Sequence, residues 1–270
     1  MPFKPFFSIF FSSLVAAGTL YKADFASNLG PFSVCNVKAP SEAVVENGNL
    51  KTFFDETGFD GTRNDKGVEI CVFEEGTAKN VYQMTKEGWQ GFSIFVPSDS
   101  FPTNKNTIIA QQFCPGGCSS WCGTLDLAGN SLVAEHRAGG CTAPTVTTIV
   151  PNIARNTWHD VVVRMKASRE GAGAYEVWWD GEKVYSAKNI NVGFGVWDSD
   201  ILTSGWYFKN GQYAYGMRLL LDIPESQSLA NIGVLDTENY TNAQRTLLFD
   251  NVKWYETDAG ETDGYNTVAP

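Results

Sequence analysis

Apolar and polar residues alternate in short runs rich in β-branched and aromatic side chains, and Gly, Asn or Asp separates each run from the next. This period of two is the signature of half-buried strands, whose successive side chains point to opposite faces. The clearest runs are Gly91 to Pro97, Asn106 to Phe113, Ser131 to Ala138, His159 to Ala167 and Ala174 to Ala187. Inside the last, Asp180-Gly181 predicts a tight hairpin, because a type I′ turn needs positive φ at both central residues. Gly129-Asn130 predicts a second hairpin between LDLA and SLVAEH. Helical periodicity is scarce. Short helices are expected around 239–246, where Thr241 could cap, and near Ser226 to Ala230, and Thr257 to Pro270 reads as a polar, ragged tail. No Pro- or Ser-rich linker and no internal repeat divides the chain. The expected fold is therefore all-β, a single β-jelly-roll sandwich with few short helices.

A length of 270 residues suits one such domain, and only 19% charged residues with 26 glycines spread along the chain excludes a disordered chain, a collagen or a coiled coil. The net charge of −10 argues against nucleic acid and anionic membranes as partners. Residues 1–17 read as a signal peptide, with Lys4, an apolar run from Pro5 to Ala17, and Val15 and Ala17 placed for cleavage before Gly18. Residues 18–270 would then be a secreted, extracellular domain, expected to be monomeric. All six cysteines lie in that region, and an even count in a secreted chain implies three disulfides. Spacing favours Cys35 with Cys71, leaving Cys114, Cys118 and Cys122 to pair among themselves and with Cys141. A zinc site in that cluster is the rival, with only His136 and His159 as imidazoles. Asn239-Tyr240-Thr241 is a glycosylation sequon.

Two strands carry the candidate chemistry. In Tyr207-Phe208-Lys209-Asn210-Gly211-Gln212-Tyr213, strand period puts Lys209, Gly211 and Tyr213 on one face, and the glycine would leave room for a ligand. This stretch resembles the Y-F-K-A-G-x-Y strand of the alginate lyases of polysaccharide lyase family 7. Ile108-Ile109-Ala110-Gln111-Gln112-Phe113 is similar to the I-I-x-Q-x-H strand of the same enzymes, with Phe113 where they carry His. With GFSIFVPSD, and with the order NTWHDVVVRMK, EVWWDGEKV, FDNVKWYE, the chain looks closer to polysaccharide lyase family 20, the glucuronan lyases. The resemblance covers most of residues 18–270. It implies a concanavalin-like jelly roll that cleaves an acidic, uronate polysaccharide by β-elimination, with no organic cofactor.

Such a reaction removes the weakly acidic C5 proton of a uronate, so the neighbouring carboxylate must be neutralised and a proton delivered to the departing O4. Gln111 is the candidate amide donor, Tyr213 the proton-transfer group and His136 a partner base, although alternation sets His136 opposite Glu135 and Arg137. Lys209, Arg137, Arg63, Tyr207 and Gln112 are the candidate substrate contacts. His159, at a strand start, is a weaker candidate base. Two other classes compete. A glycoside hydrolase needs a pair of carboxylates, for which Glu176 and Asp180 come nearest. A non-catalytic sugar-binding module would use exposed rings among Trp178, Trp179, Trp197, Trp206 and Tyr215. Jelly rolls of this group often tie their first and last strands with calcium, and Asp24 and Asp250, with Asn47 as a filler, are its expected ligands.

Overall fold

The computed structural model describes residues 18–59, 66–74, 77, 80–81, 84–114, 116, 120–214, 244–257 and 261–270. The expected signal peptide, Arg63, Cys118 and Tyr215 lie outside them, as does most of the region where helices are expected. The first strands are β1 (Leu20–Ala23), β2 (Ser33–Asn36), β3 (Glu42–Glu46), β4 (Asn49–Asp55) and β5 (Gly67–Cys71). Then come β6 (Glu87–Phe95), β7 (Asn106–Phe113), β8 (Trp121–Ala128), β9 (Ser131–His136), β10 (Thr145–Val150) and β11 (Trp158–Lys166). The long hairpin β12 (Ser168–Trp179) and β13 (Glu182–Val192) precedes the short β14 (Trp197–Asp198) and β15 (Ile201–Leu202). The last strands are β16 (Tyr207–Tyr213) and β17 (Gln244–Glu256), followed by helix α1 (Glu261–Val268).

Two antiparallel sheets result. The larger has the order β13-β12-β11-β6-β17-β4-β3 with β1 on β17, and the smaller β10-β9-β8-β7-β16-β5-β2. Their facing sides bury one core, in which Phe92, Ile94, Val161, Val163 and Phe249 of the larger sheet meet Ile70, Ile109, Leu125, Ala134 and Phe208 of the smaller. The hydrophobic effect fixes this register: a one-residue slip would turn each strand's apolar set towards water. The β12–β13 hairpin turns at Asp180 (φ 51°) and Gly181 (φ 82°), the positive pair its sequence predicts.

Two expectations are corrected. Gln244 to Thr246, expected to end a helix, open strand β17 and pair with β4. The tail is not ragged but forms α1, which packs on the outer side of the larger sheet over Trp89, Val162 and Trp178. Gly91 makes that docking possible, since a Cβ there would lie 1.9 Å from the Val268 carbonyl oxygen.

Disulfides Cys35–Cys71 and Cys114–Cys122 are formed, and Cys141 is disulfide-bonded as well. Oxidised sulfur offers no thiolates to zinc, which removes the metal reading of these five cysteines.

Candidate active site

Strand alternation gives the smaller sheet an inner and an outer face. Gln112, Asn210 and Gln212 point inward and bond to the larger sheet. Gln112 Nε2 donates to Gln90 Oε1 (3.0 Å), Gln90 Nε2 to Asn210 Oδ1 (2.7 Å), and Gln212 Nε2 to the Thr52 carbonyl (2.9 Å). Tyr175 closes the network by donating to Gln112 Oε1 at 2.8 Å. Buried side-chain hydrogen bonds of this kind hold β7 and β16 from behind. Their neighbours Gln111 and Lys209 therefore face outward. Register aligns the outer residues in rows across the strands: Lys209 opposite Gln111, Gln111 opposite Thr124, and Thr124 opposite Glu135. A second row runs Tyr207, Phe113, Trp121.

At the centre of the outer face is Glu69 of β5, 2% exposed. Its carboxylate accepts hydrogen bonds from Asn36 Nδ2 and Gln111 Nε2, and from Lys209 Nζ at 3.3 Å. Lys209 also sits 4.7 Å over the Phe113 ring. Three donors converging on one buried carboxylate fix the side chains of Gln111 and Lys209, and an ammonium with three N–H groups keeps donors for a ligand. The Cys35–Cys71 disulfide links β2 and β5 beside the Asn36–Glu69 pair.

Tyr213 ends β16 next to this cluster. A Cβ on Gly67 would lie 3.0 Å from the Tyr213 ring and 3.7 Å from Glu69 Oε2, which puts phenol and carboxylate on the same side of β5. The role of Gly211 differs from expectation. At φ 139°, its missing Cβ would lie 2.1 Å from the Val68 carbonyl oxygen, so the glycine admits the neighbouring strand rather than a ligand.

Arg137, just past β9, stacks over Trp121 at 3.3 Å and so joins the aromatic row. Burial lowers its pKa to about 10, partly offset by the charge of Glu135. Burial raises the pKa of Glu135, against the pull of Arg137 and of a hydrogen bond with Asp126.

Three candidates are separated from this face. His136 points inward, its Nε2 2.9 Å from the Tyr185 hydroxyl, and burial lowers its pKa. Gln112 belongs to the inter-sheet network and offers nothing to a ligand on the outer face. His159 is on the larger sheet, bonded to Asp180 Oδ2 and the Ala154 carbonyl. The face thus brings together Gln111, Lys209, Tyr207, Tyr213 and Arg137, and adds Glu69, Asn36 and Trp121, which the sequence reading missed. Its one signal was the charged residue set among apolar neighbours in Val68-Glu69-Ile70.

The rival chemistries fare poorly. Glu176 is fully buried on the larger sheet, held by Arg164, Lys183, Lys188 and Ser186, while Asp180 is occupied by His159 in the hairpin turn. No hydrolytic carboxylate pair arises there. Trp178, Trp179 and Trp206 are buried and cannot serve as stacking platforms.

Asp24, just past β1, does come near Asp250 of β17. Burial first, and then the Asp24 charge, raises the Asp250 pKa, and Asp24 and Asn251 line a pocket of about 310 Å³ shared with Lys22 and Lys253. Two mutually repelling carboxylates suit a hard cation, with carbonyl oxygens needed to complete its shell. Asn47 is placed in the β3–β4 turn, where its carbonyl takes the Asn49 side-chain amide.

The polysaccharide lyase family model matches residues 59–253, which contain Glu69, Gln111, Lys209 and Tyr213. The chain belongs to the polysaccharide lyase family. By sequence, no curated protein matches it. Among solved structures it is similar to an endo-β-1,4-glucuronan lyase from the fungus Trichoderma reesei, with 20% identity, 93% of both chains covered and a TM-score of 0.54. It is also similar to an alginate lyase from Chlorella virus (13% identity, 83% of this chain and 91% of that one, TM-score 0.54) and to one from Pseudomonas aeruginosa (13%, 78% and 84%, TM-score 0.50). The polysaccharide lyase is thus an enzyme on a jelly-roll fold, as its motifs imply.

Proposed function

We propose that this polysaccharide lyase cleaves a polyuronate, glucuronan foremost, by β-elimination on the outer face of the smaller sheet. The observation that carries the reading is the convergence of Gln111 and Lys209 on Glu69 with Tyr213 alongside. Lys209 and Gln111 donate hydrogen bonds to the carboxylate of the bound uronate, so that negative charge developing on removal of the C5 proton is stabilised in place. Tyr213 transfers the proton. As phenolate it takes hydrogen from C5, the C4–O4 bond breaks as the C4=C5 bond forms, and the phenol returns the proton to the departing O4. Two features favour glucuronan over alginate. Phe113 stands where the alginate lyases carry His, and the glucuronan lyase likeness spans 93% of both chains.

Secretion belongs to the same reading, supported by the disulfides and the apolar N-terminal run, and the secreted enzyme is taken as a monomer. So does a structural calcium ion between Asp24 and Asp250, which would relieve their repulsion and tie the first strand to the last. The test is ultraviolet absorbance of the new C4=C5 double bond on glucuronan, polymannuronate and polyguluronate. Glucuronan is expected to react fastest. Faster reaction of an alginate block would overturn the substrate assignment, and no double bond on any of the three would overturn elimination itself.

A further inference from the structure

The chain carries a net charge of −10, yet its substrate under the proposed function is a polyanion. Local cations must overcome that repulsion. At the reaction centre Lys209 is balanced by Glu69, so the pair contributes no net charge. Arg137 differs. Among the described residues it makes no ion pair, its Nε is buried without an acceptor, and its guanidinium rests on the half-buried Trp121 ring. Tyr207, Phe113 and Trp121 lie side by side on β16, β7 and β8, with Tyr207 and Phe113 in ring contact at 4.9 Å, and Arg137 closes the row from β9. Such a row crosses the strands, at one ring for each strand spacing of about 4.8 Å.

We infer that Arg137, stacked on Trp121, is a second carboxylate-binding position, which holds a uronate unit of the polymer displaced from the cleavage point towards β9. It deepens the proposed function, on which it rests, by laying the sugar chain across the strands from Lys209 to Arg137. The guanidinium fork pairs with a carboxylate, and the fixed stack on Trp121 aims it. Because this contact is equal in ground and transition states, it sets affinity rather than turnover. Glu135, outward on β9, is the opposing charge, with Asp126 of β8 bonded to it, Tyr175 within its field and Val146 of β10 opposite. Removing the Glu135 charge leaves the surface around Arg137 with a net positive charge towards the polymer.

The test measures KM and kcat for Arg137→Gln, Arg137→Lys and Glu135→Gln on glucuronan, together with calorimetric binding of glucuronan and of its carboxyl-reduced, neutral form to Tyr213→Phe carrying each change. Arg137→Gln is expected to raise KM and Kd by about tenfold to a hundredfold, the scale of one charged hydrogen-bonded contact, with kcat within about twofold. Arg137→Lys should restore part of the affinity, and Glu135→Gln should tighten binding. The neutral polymer should bind all variants equally. Unchanged KM and Kd in a normally melting Arg137→Gln protein would overturn the subsite, as would a loss confined to kcat. If wild type forms no double bond on any polyuronate, the lyase reading fails, and the calorimetry still decides whether Arg137 holds a carboxylate.

Discussion

Glu69 is the residue on which the outer face depends. It sits almost wholly buried, and its value lies in holding Gln111 and Lys209. Glu69→Ala would strand the Lys209 ammonium, itself 5% exposed, without its counter-charge, and loss of one partner of a buried pair costs about 3–5 kcal/mol. A melting curve of that variant should show the loss. Glu69→Gln keeps the shape and should melt closer to wild type while turnover falls, because a neutral amide no longer fixes the two donors. A Glu69→Gln enzyme with wild-type turnover would show that the cluster is structural only. Period two made Lys209 and Tyr213 legible as residues of one face, the resemblance pointed to Gln111, and alternation also set His136 opposite Arg137, as found. Glu69 was not legible, because a lone glutamate in a strand reads as solvated, and its partners come from strands far apart in sequence. Gly211 misled for a related reason, since nothing local shows that the Val68 carbonyl fills its space.

At the level of elements, strand runs and hairpin turns could be read in advance because their determinants are local: alternation, and positive φ at Asp180-Gly181. Helix α1 could not, for it turns few residues inward, Gly264, Tyr265 and Val268 among them, and what stabilises it is Trp89 and Trp178 on a distant surface. The pairing of β11 with β12 carries a pH signature. Burial alone would raise the Glu176 pKa, but hydrogen bonds from Arg164, Lys183 and Ser186 bring it from 4.5 to about 2. A carboxylate depressed in the folded state stabilises the fold above its unfolded value, and that contribution is lost as pH falls from about 4.5 towards about 2. Acid titration of Glu176→Gln should therefore be flatter than wild type across this window. Parallel acid transitions in the two proteins would contradict the pairing.

For the molecule as a whole, two sheets share one core, and the smaller leaves its outer face to chemistry while the larger covers its own with α1. The overall architecture was legible because composition, turn spacing and strand period all pointed to a sandwich. Calcium belongs to this scale. Addition of EDTA should lower the melting temperature, and excess calcium should restore it, with turnover at saturating substrate little changed; melting indifferent to EDTA would remove the ion from the account. The central claim is that the phenol of Tyr213 moves the proton, and its most direct test is Tyr213→Phe, scored by double-bond formation on the best polyuronate at saturation. One partly exposed hydroxyl is lost, so stability should change by less than about 1 kcal/mol. Turnover should fall by about a hundredfold or more, the scale of a missing acid or base. A normally folded Tyr213→Phe protein that still eliminates at near wild-type rate would contradict the mechanism.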